Sequence, residues 1–119
     1  MKRILVVEDN EKNMYLISFI IGKMGHEAIQ SRTGEEGVEC AARERFDLIL
    51  MDIQLPGIDG METTKRIRAG GASTDVPIVA ITSYAMTGDR ERLLAAGCNG
   101  YIEKPINPET IMQEISSFL

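Results

Sequence analysis

Five short apolar runs alternate along this chain with five stretches of helical periodicity, and that strict alternation leaves few folds open. The runs lie at about 3–8, 27–31, 47–52, 77–82 and 99–103, and the helical stretches near 11–24, 34–44, 60–69, 87–96 and 108–118. Repeated βα units build a parallel α/β sheet with helices on both faces, because each parallel strand needs a right-handed crossover to reach the next. The first, third and fourth runs are apolar throughout, as expected of central strands covered on both sides. The second, Glu27-Ala28-Ile29-Gln30-Ser31, is more polar and suits an edge. The expected strand order is 2-1-3-4-5, with a switch point between the first and third strands where ligands bind outside the carboxyl ends. Met14, Ile17, Ile21 and Met24 give the first helix its apolar spacing, and Gly25 stops it. Asn107-Pro108-Glu109 starts the last helix, with Ile111, Ile115 and Phe118 beneath it. No repeat, low-complexity tract or linker divides the chain, so a single domain over 1–119 is expected.

That topology brings chemistry to one edge. Glu8 and Asp9 close the first strand and Asp52 closes the third, so three carboxylates share the switch point. At an effective dielectric of about 20, two unit charges ~4 Å apart repel by ~4 kcal/mol. Such a cluster calls for a hard divalent cation with oxygen ligands, Mg²⁺ being the natural choice. Asp9 and Asp52 are expected to bind it directly, Glu8 through water, and the Gln54 backbone carbonyl to add a ligand. Asp52 is the candidate nucleophile, since a strand-end carboxylate can attack phosphorus in line and form an aspartyl phosphate. Thr82 ends the fourth strand and can donate its hydroxyl to a phosphoryl oxygen, while small Ser83 leaves room and offers a backbone N–H. Lys104 follows Gly100-Tyr101-Ile102-Glu103 and can reach the same oxygens as a point charge. Pro105 makes a cis Lys-Pro bond available there. One acid at a strand end is usually a solvated cap, and one Lys-Pro is usually a turn. Five such groups at the carboxyl ends of four strands make a site.

Charge and cysteine usage exclude several classes. A net charge of −5 argues against nucleic acid as the main partner. No apolar run approaches the ~20 residues that cross a bilayer, and Met1-Lys2-Arg3 leads into too short an apolar stretch for a signal peptide. A cytoplasmic protein is expected. Cys40 and Cys98 lack metal-ligand spacing and are expected to be reduced, half-buried thiols. His26, the single histidine, follows Gly25 at a helix end and reads as a turn residue, which removes triad chemistry.

The motifs Val7-Glu8-Asp9-Asn10, Leu50-Met51-Asp52-Ile53-Gln54-Leu55-Pro56, Ala80-Ile81-Thr82-Ser83 and Tyr101-Ile102-Glu103-Lys104-Pro105 occur in this order. Together they resemble the receiver domain of bacterial two-component response regulators, over the whole chain. Among subgroups the chain looks most like single-domain DivK-type regulators and the receivers of hybrid-kinase phosphorelays. The segments Asp9-Asn10-Glu11-Lys12-Asn13, Tyr84-Ala85-Met86-Thr87-Gly88-Asp89 and Ala95-Ala96-Gly97-Cys98 carry that likeness. The resemblance implies the flavodoxin-like (βα)5 fold and a phosphoryl group passed to Asp52 from a histidine kinase or histidine phosphotransfer protein. It also implies that Thr82 moves toward the phosphoryl group and Tyr101 swings inward, reshaping the face of the fourth helix, fifth strand and fifth helix for a downstream protein. The chain would then be a signalling phosphoacceptor, catalysing only its own phosphoryl transfer and slow dephosphorylation, as a monomer or weak dimer. Gln54 and Tyr84 are expected to border the path of attacking water, with Tyr84 shielding the phosphoryl group.

A haloacid-dehalogenase-type phosphatase also uses a strand-end Asp, but needs a second Asp where this chain has Gln54. A receiver excised from a larger regulator or hybrid kinase is the remaining alternative: Met1 just before the first strand suits a natural N-terminus, while the end at Leu119 leaves that alternative open. For the phosphodonor, Asn13, Met14 and Ile17 on the first helix are candidate contacts, joined by Pro105 and Ile106; the other reading of Met14 and Ile17 is that they face the core.

Overall fold

The computed structural model describes residues 1–83 and 87–119, with the Thr87 side chain left aside. Ten elements follow one another in strict alternation: β1 (Arg3–Val7), α1 (Glu11–Lys23), β2 (Glu27–Ser31), α2 (Gly34–Arg43), β3 (Leu48–Asp52), α3 (Gly60–Arg68), β4 (Ile78–Thr82), α4 (Thr87–Ala96), β5 (Gly100–Glu103) and α5 (Pro108–Ser116). All strand pairs are parallel, in the order β2-β1-β3-β4-β5. The expected topology is the observed one.

Strand alternation divides the core in two. Leu5, Val7, Ile49, Met51, Ile78 and Ala80 face one side of the sheet, where Ala41, Ile67 and Leu93 come down from α2, α3 and α4. Ile4, Val6, Leu48, Leu50, Val79 and Ile81 face the other, beneath Met14, Ile17 and Ile21 of α1 and Ile111 and Ile115 of α5. All five residues of β3 and of β4 are buried, whereas β2 buries fully only Ser31. This explains the continuous apolar runs of the central strands and the polar second one.

Among the described residues, four helices start on a side-chain cap. Asn10, Thr33, Asp59 and Asn107 accept from the backbone N–H groups of Asn13, Glu36, Glu62 and Glu109 at 2.8–3.1 Å, each cap stabilising by about 1 kcal/mol. α1 gives way to Gly25 at φ 82°, and the next residue, His26, accepts the Lys2 N–H at Nδ1, 3.1 Å away. His26 sits just past the turn at Met24 and Gly25, its own N–H donating to the Ile21 carbonyl at 3.1 Å. α5 ends at Ser116, two residues short of expectation, and the Ser117 hydroxyl donates to the Glu114 carbonyl at 2.7 Å. Phe118 still packs against the α1–α5 core. Both cysteines are free; Cys40 is half-buried as expected, but Cys98 is buried beneath α3, which pushes its thiol pKa up. Among the described residues, no helix is long and apolar enough to cross a membrane.

Candidate functional site

Register sets the site. Val7 lies opposite Met51 and Asp52 opposite Ile81, so Glu8 and Asp52 come side by side and Thr82 ends the next strand one residue further on. β5 joins through Thr82 opposite Glu103, and the Lys104 N–H donates to the Thr82 carbonyl at 2.9 Å. The Lys104-Pro105 peptide is cis. Gly60, at the start of α3, packs against the end of β3 so closely that a Cβ there would stand 2.3 Å from the Asp52 carbonyl oxygen and 2.7 Å from Ile53 Cα. Only glycine lets α3 start this close behind Asp52.

One carboxylate oxygen from each of Glu8, Asp9 and Asp52 lies within 4.8 Å of the others. Glu8 and Asp52 are buried, each 1% exposed, whereas Asp9 is open to solvent. Lys104 Nζ stands 3.1 Å from Asp52 Oδ1 and 3.5 Å from Glu8 Oε1. The Gln54 N–H donates to Asp52 Oδ1 at 3.1 Å, and the Asn10 N–H to Glu8 Oε2 at 3.4 Å. Glu8 Oε1 is buried and accepts no hydrogen bond among the described residues. An orphaned carboxylate oxygen, three carboxylates against one ammonium and a donor set made only of oxygen fit a hard divalent cation.

Electrostatics supports the same view. Burial first, and then the facing Asp52 carboxylate, push the Glu8 carboxyl from 4.5 up to about 8, against the pull of Lys104. The folded-state value is raised, so the folded protein holds an extra proton, and its stability falls as pH rises from about 4.5 to about 8. Urea midpoints in EDTA are therefore expected to drop more steeply across that window in wild type than in Glu8→Gln. Mg²⁺ should remove most of the difference, because it replaces the proton as the balancing charge. Equal slopes in the two proteins would show that Glu8 is not the responsible group.

The structure thus brings Glu8, Asp9, Asp52, Thr82 and Lys104 to one strand edge, with Ser83 and Gln54 at the rim, where the Ser83 hydroxyl lies 3.5 Å from Gln54 Oε1. Tyr101 is half-buried on β5, opposite Ala80. Tyr84 lies outside the described residues. Of the two readings of Met14 and Ile17, the structure bears out the core: they are 1% and 0% exposed, and the docking reading is corrected, since they offer nothing to a partner. The large apolar side chains of α1 that face outward are Tyr15 and Phe19, 72% and 52% exposed, with ring centroids 6.3 Å apart. Sequence reasoning also missed Leu16. With Asn13, Ser83, Lys104, Pro105 and Ile106 it lines a cleft of about 490 Å³ that opens beside the acidic cluster.

Known proteins resemble this chain over nearly its whole length. Residues 4–116 match the family described as the response regulator receiver domain. The polar-differentiation response regulator DivK of Brucella anthropi is 43% identical over 118 residues, spanning 99% of this chain and 96% of that protein. The receiver domain of a sensor histidine kinase from Pseudomonas aeruginosa, whose crystal structure has a magnesium ion coordinated in the active site cleft, superposes with a TM-score of 0.89 at 38% identity, covering 98% of this chain and 96% of that one. The chemotaxis protein CheY4 of Vibrio cholerae superposes with a TM-score of 0.94 at 28% identity, covering 100% and 99%.

Proposed function

This chain belongs to the response regulator receiver domains, and from that premise we propose that it accepts a phosphoryl group on Asp52 from a phosphohistidine and signals by protein contact. The observation that carries the reading is the Asp52 carboxylate itself. It stands at a strand end between two further acids and a lysine 3.1 Å away, held by the Gln54 N–H. In the transfer, an Asp52 oxygen forms a bond to phosphorus as the bond from phosphorus to the donor's imidazole nitrogen breaks. Lys104 and the Thr82 hydroxyl receive the phosphoryl oxygens, and Ser83 adds its backbone N–H. Mg²⁺, held by Asp9, Asp52 and the Gln54 carbonyl with Glu8 acting through water, would supply charge neutralisation for the same oxygens. The chain turns over no other substrate on this reading.

The partner is a histidine kinase or a histidine phosphotransfer protein. Its reactive helix would lie over the cleft lined by Leu16, Pro105 and Ile106, with Tyr15 and Phe19 extending the apolar surface along α1. Phosphorylation then biases Thr82 and Tyr101, and with them the α4–β5–α5 face read by a downstream protein. The test is transfer from a radiolabelled histidine phosphotransfer domain in the presence of Mg²⁺. Label should move to the wild-type chain as an alkali-labile acyl phosphate and stay on the donor with Asp52→Asn. Label that reaches Asp52→Asn equally would place the acceptor elsewhere.

A further inference from the structure

Tyr101 is not left to itself in this structure. The Arg90 guanidinium, on α4, lies over its ring with Cζ 5.0 Å from the centroid. Arg90 Nη2 also donates to the Tyr101 hydroxyl oxygen. One cation thus grips both the face and the tip of the same side chain, across the joint between α4 and β5. Asp89, its neighbour in α4, is paired with Arg92. Beneath the ring, register places Tyr101 opposite Ala80, and strand alternation puts Thr82 on the face that Ala80 shares. Ala80 is the smallest side chain β4 presents on that face, so it is the position on β4 that least obstructs an aromatic ring beside Thr82.

We propose that Arg90 is a positioning residue that latches Tyr101 in its outward position and so sets the threshold at which phosphorylation turns the ring inward. The proposal rests on the reading of Tyr101 as the switch. A ring moving toward Thr82 must leave the guanidinium, so the outward state carries an interaction that the inward state lacks. A ligand or modification can shift two states only by its differential interaction with them, and Arg90 supplies a differential on the resting side. For an exposed cation over an aromatic ring, that differential amounts to about a fivefold change in the ratio of the two states. When the inward state is the minor one, the same factor appears in the apparent affinity of any ligand that needs it.

The experiment uses the full chain with fluorotyrosine incorporated, the Tyr101 signal being assigned with Tyr101→Phe among the three tyrosines. Beryllofluoride with Mg²⁺ serves as the phosphoryl mimic. In the absence of the mimic, Arg90→Ala should move the Tyr101 fluorine resonance toward its beryllofluoride-bound position. It should also tighten apparent beryllofluoride binding about fivefold. Arg90→Lys, which keeps a cation over the ring, should return both readouts toward wild type. Arg90 is exposed, so loss of fold is not expected to obscure the result. A Tyr101 resonance at the wild-type position in Arg90→Ala, or a departure in Arg90→Lys as large as in Arg90→Ala, overturns the latch. A wild-type Tyr101 resonance that beryllofluoride binding leaves unmoved removes the switch itself and overturns the latch with it. Beryllofluoride that fails to bind at all points instead to failure of the phosphoacceptor reading, and the Arg90→Ala resonance without the mimic still decides whether Arg90 positions the ring.

Discussion

Asp52→Asn is expected to end phosphoryl uptake and, without divalent cation near pH 8, to make the protein harder to unfold. Both effects have one origin. The carboxylate that performs the attack is also one of three acids whose oxygens lie within 4.8 Å of one another. Converting it to an amide keeps the shape and removes a charge. Glu8, no longer facing an anion, can then ionise opposite Lys104 Nζ, 3.5 Å away. Loss of the Asp52–Lys104 pair cancels part of the gain, leaving a net stabilisation of about 1 kcal/mol, or roughly 4 °C in melting temperature for a chain of this size. Paired thermal melts in EDTA and in Mg²⁺ check this. The gain should vanish in Mg²⁺, where the wild-type charges are already balanced. A variant that loses both activity and stability in EDTA would mean that Asp52 is held mainly by its lysine, and that crowding of the acids is unimportant. The exchange of stability for a reactive cluster is common at functional sites.

Lys104→Met should act in the opposite sense on stability and in the same sense on chemistry. The side chain fills similar space but takes away the ammonium that stands within 3.5 Å of both buried acids. In EDTA the melting temperature should fall, and Mg²⁺ should restore much of it. Uptake from acetyl phosphate should slow about 100-fold, the usual cost of removing one preorganised partner of a developing oxyanion. The two variants together separate the acid from its counterion. Parallel changes in stability would contradict the electrostatic account of the cluster.

Much of this site was open to sequence reasoning because its parts lie at strand ends. Strand order follows from βα alternation, and once the order is known Glu8, Asp52, Thr82 and Lys104 fall on one edge. α1 was harder to read. From Met14 to Ile21 only Ser18 is a small polar residue, so helical periodicity leaves its inner face open. Packing against β1 and β2 decides that Met14, Ile17 and Ile21 go inward and Tyr15 and Phe19 stay out. Gly60 was legible as the start of the third helical stretch but not as the backing of Asp52, because that role is a close approach between two backbones. Arg90 and Tyr101 are eleven residues apart on different elements, and no local pattern joins them. Features that depend on periodicity and chain order were visible; those that depend on one element settling onto another were not.

The most direct measurement of the central claim is the intact mass of the protein after incubation with acetyl phosphate, with Mg²⁺ and with EDTA, wild type beside Asp52→Asn. The account predicts one added phosphoryl group in wild type with Mg²⁺, and none in EDTA or in the variant. An adduct that forms without divalent cation, or that persists in Asp52→Asn, would contradict it.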